Sequence, residues 1–247
     1  MSPVDCIFLD PARRNEHGGK TVAISDCEPN VAKLEGLLLS KANRIMIKLS
    51  PMLDLSQALK ELPHTQEVHI ISVNNECKEL LLLLGQTAPE EIPVHCVNLS
   101  TKGEQEKQLF VFTREQEQHS ECSYTDTLGN YLYEPNASLL KAGAFRSIAA
   151  AYSVKKLHPN SHLYTSETQI EGFPGRTFRI INRCSLNKKE IKENLSDLKK
   201  ANITVRNFPA TVAELRKRIK LAEGGDTYLF ASTLNDGQKI LIRCGKV

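Results

Sequence analysis

Apolar runs and the polar residues that stop them divide the chain into short elements. Residues 4–9 form an apolar run that ends abruptly at Asp10-Pro11. A short run bounded by turn residues predicts a parallel strand whose carboxyl end opens into a loop, where open α/β sheets place their ligands. Residues 29–39 carry apolar side chains at helical spacing, and residues 44–49 read as a second strand stopped by Ser50-Pro51. A helix over 55–62 and a third strand over 66–73 follow. Asn74-Asn75-Glu76 then offers either an amide pair at the sheet edge or a helix N-cap, leading into a Leu-rich helix over 77–84 with Gly85 as its C-cap. Residues 94–99 and 108–113 predict two strands that pair antiparallel at a sheet edge. The order is that of an α/β domain finished by a hairpin.

Residues 115–127 are polar and follow neither period, which places a boundary there. Beyond it the rhythm changes. The pattern predicts a long Ala-rich helix over 137–157, strands over 163–165 and 176–183, and a charged helix over 187–201 with Asn187 as N-cap. A short strand at 203–206, a basic helix at 211–222, and a hairpin of 228–232 with 239–244 across Asn235-Asp236-Gly237 complete the chain. Two domains are expected, 1–120 and a smaller α+β unit over 128–247.

Composition narrows the setting. No run reaches the roughly 18 apolar residues of a membrane helix, and the first residues lack the order of a secretion signal, so the expected partners exclude a membrane and the expected location is the cytoplasm. Seven scattered cysteines without a C-x-x-C pair point to reduced thiols, and the seven scattered histidines form no H-E-x-x-H motif, so no metal is expected. Net charge is +3, but residues 1–123 hold 12 Lys/Arg against 18 Asp/Glu while 124–247 hold 20 against 11. A basic second half can face a polyanion or simply be solvated. Arg176, Arg179 and Arg183 alternate partly with apolar residues, and with Lys188, Lys189, Lys192, Arg216, Lys217 and Arg218 they would form a stripe for RNA phosphates. Aromatics are sparse, which favours recognition of shape and phosphate over base stacking.

The candidate chemistry gathers at the first strand's end. Asp10 can accept a proton or orient an amine, or only cap its turn; Arg13 and Arg14 can hold a phosphate through bidentate hydrogen bonds, or be solvated loop charges. Gly18-Gly19 follows a loop rather than a strand and reads as turn glycine.

On Asp10-Pro11-Ala12-Arg13 the first half resembles the carboxyl-terminal part of a class I S-adenosylmethionine-dependent methyltransferase, whose Asp/Asn-Pro-Pro-x motif ends the fourth strand. The pair 94–99 and 108–113 resembles that family's reversed last strand and its partner. More closely, the arrangement is similar to a bacterial group that follows this core with a THUMP-like, RNA-binding module. The resemblance implies a partial Rossmann-like sheet, S-adenosylmethionine as cofactor, an RNA substrate, a catalytic role for Asp10, Pro11, Ala12 and Arg13, and substrate contacts from Arg14, Arg176, Arg179 and Arg183. It also implies that the Gly-rich turn and the acidic residue that hold the cofactor are missing before residue 4, so this chain alone should be inactive. Ala12-Arg13 in place of Pro-Tyr/Phe points away from adenine-amine chemistry, and Lys48-Leu49-Ser50-Pro51 lacks the thiol that pyrimidine-carbon methylation needs after the fifth strand. The alternative is an RNA-binding or assembly module without enzymatic role, self-associating through the exposed half-sheet.

Overall fold

The computed structural model describes residues 4–13, 23–101 and 107–247. It divides into two compact units, Met1–His119 with Asn136–Ala144, and Ser120–Pro135 with Phe145–Val247.

The first unit is built on strands β1 (Val4–Leu9), β4 (Ala42–Leu49), β5 (Thr65–Val73), β6 (Glu76–Leu84), β7 (Pro93–Leu99) and β8 (Lys107–Thr113), in the sheet order β1-β4-β6-β5-β7-β8. The two-residue strands β2 (Ala12–Arg13) and β3 (Cys27–Glu28) pair separately. The pairs β1 with β4 and β5 with β7 are parallel, while β6 runs against both β4 and β5. Helix α1 (Val31–Leu39) starts at Asn30, whose side chain accepts from Lys33 N–H at 3.2 Å, and α2 (Leu55–Glu61) starts at Asp54, which accepts from Gln57 N–H at 2.8 Å. Short helices α3 (Arg114–His119) and α4 (Ala137–Ala142) complete the unit.

The expected helix over 77–84 is instead strand β6. Asn74 and Asn75 both adopt positive φ (51° and 63°), the geometry of a two-residue hairpin turn that matches strand twist, and they join Val73 to its cross-strand partner Glu76. The leucines then alternate, with Leu80, Leu82 and Leu84 buried and Leu81 and Leu83 half-buried. A run of leucines hides the two-residue period that the backbone follows. The reversed strand lies inside the sheet, between β4 and β5, and the pair β7/β8 is an additional antiparallel edge, as the sequence pattern places it.

The second unit carries β9 (Tyr131–Pro135), β10 (Lys155–Lys156), β11 (Tyr164–Ser166), β12 (Gly175–Cys184), β13 (Asn202–Arg206), β14 (Thr227–Thr233) and β15 (Lys239–Lys246), ordered β10-β11-β9-β12-β15-β14-β13. Every pairing is antiparallel except β13 with β14. Its helices are α5 (Phe145–Ala151), α6 (Lys188–Leu195) and α7 (Val212–Ile219). The single helix expected over 137–157 is broken into α4 and α5, because Gly143 takes the left-handed conformation (φ 76°) and donates to Leu139 O at 3.0 Å, a glycine C-cap. The hairpin β14/β15 forms as its Asp236-Gly237 turn predicts, with Gly237 at φ 87°. No described helix is long and apolar enough to cross a membrane.

Candidate active site

Strands β1 and β4 run parallel, so their carboxyl ends bring Asp10 beside Lys48-Leu49-Ser50-Pro51. Lys48 Nζ lies 2.5 Å from Asp10 Oδ2 and 3.9 Å from Glu79 Oε1. The hydrogen bond to Asp10, reinforced by the charges of Asp10 and Glu79, raises the Lys48 pKa above its ordinary value and keeps the ammonium charged. Asp10 is half exposed, at 53% of its side-chain surface, and so presents a fixed carboxylate to solvent.

The tetrapeptide turns back after Asp10. Pro11 is buried, and the backbones of Ala12 and Arg13 pair with Glu28 and Cys27. Asp10, Pro11, Lys48, Ser50, Lys78 and buried Cys27 line an open cleft of about 300 Å³, and Ala12 and Arg13 are not part of its lining. Lys78 and Glu79 arrive from β6, and sequence reasoning missed them because it read that strand as a helix. Arg14 and Gly18-Gly19 lie outside the described residues.

The cleft by itself does not fit S-adenosylmethionine. Its volume is at the low end for a ligand of that size. Its one carboxylate at a strand end is already paired with Lys48. Among the described residues, no glycine-rich turn leads from a strand into a helix at this edge to cradle the cofactor. What the cleft offers is an acidic acceptor, a lysine and a proline-bounded wall.

Asn74-Asn75 proves to be a hairpin turn and also joins an amide network. Asn75 Oδ1 accepts from Ala137 N–H at 2.8 Å, capping the start of α4, and buried Asn98 accepts from Ser72 Oγ at 2.8 Å and Asn75 N–H at 3.0 Å. These contacts fix the sheet end, and they explain the two amides structurally.

In the second unit, the three arginines of β12 do not form one stripe. Arg176 faces Glu134 across the β9 pairing, on the side of Phe178. A bulge between Ile180 and Asn182 puts Arg183 on that same side, opposite Ile242, while Arg179 lies on the other side opposite Gly245. Arg179 and Arg183 are exposed. Arg176 donates to Glu134 through Nε at 2.9 Å and through Nη2, and Arg206 pairs with Glu134 Oε1 at 2.7 Å without hydrogen-bond alignment. Glu134 is 1% exposed, so it neutralises two guanidiniums whose outer edges remain in solvent. Sequence reading missed Glu134, whose only signal was an acid within the apolar run YLYEP. Arg216 and Arg218 also bond the backbone, to Ala201 O and Leu186 O, and Lys188, Lys189, Lys192, Lys217 and Arg218 are exposed cations of α6 and α7.

Comparison with known proteins finds two family matches in the second half of the chain. Residues 131–174 match a family described as a ferredoxin-like domain, and residues 175–246 match one described as THUMP domain-like. Among solved structures, the chain is similar to the crystal structure of a putative methyltransferase from Porphyromonas gingivalis W83, at 40% identity and a TM-score of 0.88 over 98% of this chain. It covers 60% of that protein's length. No curated protein matches the chain. The fold is a methyltransferase-like mixed α/β sheet followed by a THUMP-like domain.

Proposed function

We propose that this chain is the carboxyl-terminal portion of a bacterial, cytoplasmic RNA methyltransferase that uses S-adenosylmethionine. The observation that carries this reading is the match to the Porphyromonas protein, which extends over 98% of this chain at 40% identity yet leaves two fifths of that protein uncovered. In this reading the cofactor's adenosine and methionine groups are held by strands beyond β1, whose outer edge has no strand partner among the described residues. Asp10 accepts a hydrogen bond from the target group of the substrate, with Lys48 fixing the carboxylate. Pro11 bounds the wall beside it. Arg179, free of the Glu134 pairing that ties Arg176 and on the sheet face that packs Leu195 of α6 and Leu215 of α7, holds the RNA backbone together with the lysines of those helices.

Two measurements test it. Titration of this chain with S-adenosylmethionine should give no binding tighter than about 1 mM, and micromolar binding would remove the premise that the cofactor contacts lie elsewhere. Gel shift with a structured RNA should weaken at least tenfold as salt rises from about 50 to 200 mM, because released counterions drive phosphate binding. Arg179→Glu with Lys192→Glu should weaken it further at fixed salt. RNA binding that ignores both salt and the double substitution would sink the assignment.

A further inference from the structure

A third cluster of chemistry lies on the first unit's sheet, away from Asp10. His69 and His95 are register partners on the parallel strands β5 and β7, and Glu67 sits two residues before His69, on the same face. Parallel pairing places residues 26 positions apart in ring contact: the imidazoles stack with centroids 4.4 Å apart and planes 8° apart. Both Nε2 atoms converge on one carboxylate oxygen, Glu67 Oε2, at 3.1 Å from His69 and 3.8 Å from His95. The three donor atoms lie within 4.8 Å of one another.

We propose that Glu67, His69 and His95 form a binding site for a divalent transition-metal ion of the zinc class. Tetrahedral zinc holds nitrogen and carboxylate oxygen at about 2.0–2.2 Å, so neighbouring ligand atoms stand about 3.2–3.5 Å apart. The two distances to Glu67 bracket that separation, and a small ring rotation accommodates an ion between them. Two imidazoles with one carboxylate, and one or more positions left to water, form a donor set that zinc uses at open sites. Stacked rings at this distance cannot both be charged without repulsion. The surroundings favour a defined site: the strand partners of Glu67, His69 and His95 on β6 and β8 are Leu83, Leu81 and Val111, none of which competes for the ion. The side chains are 44%, 27% and 25% exposed, so an ion can enter from solvent. The site is independent of the cofactor and RNA reading above.

The test is titration of the full chain with Zn²⁺ against a chromophoric chelator, and with Co²⁺ by absorption. One equivalent should bind at micromolar affinity or tighter. His69→Gln and His95→Gln should each weaken it about tenfold or more, with circular dichroism unchanged. Glu67→Gln serves as a second variant that keeps both rings in place, and it should also weaken binding. His64→Gln, which touches only the separate His64–Glu35 pair at 3.3 Å, should leave affinity unchanged. The absence of binding tighter than about 1 mM, affinity that survives all three substitutions, or a thiolate charge-transfer band in the Co²⁺ form would each overturn the proposal, the last by placing the metal on cysteines.

Discussion

The two sheets solve the same burial problem differently. In the first unit, β4 and β5 alternate: Ile45, Ile47, Val68 and Ile70 are fully buried on one side, whereas Met46, His69 and Ile71 are half-buried on the other. Toward the edges that second face opens further, with Phe8 58%, Leu109 47% and Val111 44% exposed. In the second unit, Leu229, Phe230, Ala231, Ser232 and Thr233 of β14 are all buried, because a separate core lies on each side. One contains Leu132, Phe178, Phe230 and Ile242, and the other contains Leu195, Leu215, Leu229 and Leu241. A sheet covered on both faces closes its own core, and a sheet covered on one face leaves apolar surface for something else.

The strongest way to test that contrast is at Phe230. It is fully buried and packs edge-on against Phe178 at 4.9 Å. Phe230→Ala should destabilise the second unit by about 3–5 kcal/mol, read as a shift in its denaturant midpoint. If the loss is under about 1 kcal/mol, the two-sided core is not packed as described.

Next in size is Glu134→Gln. The substitution keeps the shape but removes the charge that two arginines share in a buried position. Bonds to charged groups contribute about 1.5–3 kcal/mol, and the loss should fall near the lower end because both guanidiniums are partly solvated. Arg176→Met should cost less, since the remaining Arg206 pair keeps the carboxylate from being isolated.

The same contrast explains what could be read from the chain. Strands bounded by turn residues, such as β4 before Ser50-Pro51 and the β14/β15 hairpin at Asp236-Gly237, carry their stop signals locally and were legible. The leucines of β6 were not, since an unbroken apolar run fits helix or strand and only the conformations of Asn74 and Asn75 decide between them. Asp10 could be singled out because it follows the end of a strand, whereas Lys48 was read only as part of a strand-end segment without a thiol. Their pairing, like that of His69 with His95, depends on which strands become neighbours, and no local spacing encodes that. The arginines of β12 were misread as one face: Arg176 and Arg179, three positions apart, already alternate, and a bulge at Ile181 then moves Arg183 to the side of Arg176.

A smaller effect is expected at the start of α7. Thr211 accepts from Glu214 N–H at 3.2 Å, and the Glu214 carboxylate accepts from Thr211 N–H at 2.7 Å, a reciprocal capping box. Thr211→Ala should cost about 1 kcal/mol. Its pH dependence has a definite sign. The hydrogen bond from the Thr211 backbone first, and from its hydroxyl second, lowers the Glu214 pKa below 4.5. The stabilisation is therefore present above pH 4.5 and is lost as pH falls through the lowered value. Thermal melts of Thr211→Ala should show a smaller acid-side loss than the parent chain, because the backbone N–H at that position still donates to Glu214, and Glu214→Gln should lack that loss.

The smallest stability effect is predicted on the open face of the first sheet, and there solubility is the sharper readout. Phe8 lies on edge strand β1 with 58% of its surface in solvent, and Val4, on the same strand, is 52% exposed. Replacing Phe8 by Ser removes few contacts, so the midpoint should move by no more than about 0.5 kcal/mol. An unpartnered edge with exposed apolar side chains nevertheless invites pairing with another copy. Light scattering at rising concentration should show the parent chain associating and Phe8→Ser associating less. If both remain monomeric, the exposed strand is not sticky enough to drive association. If Phe8→Ser unfolds the unit, Phe8 is a core residue and the distinction between a closed and an open sheet fails at the strand that defines it.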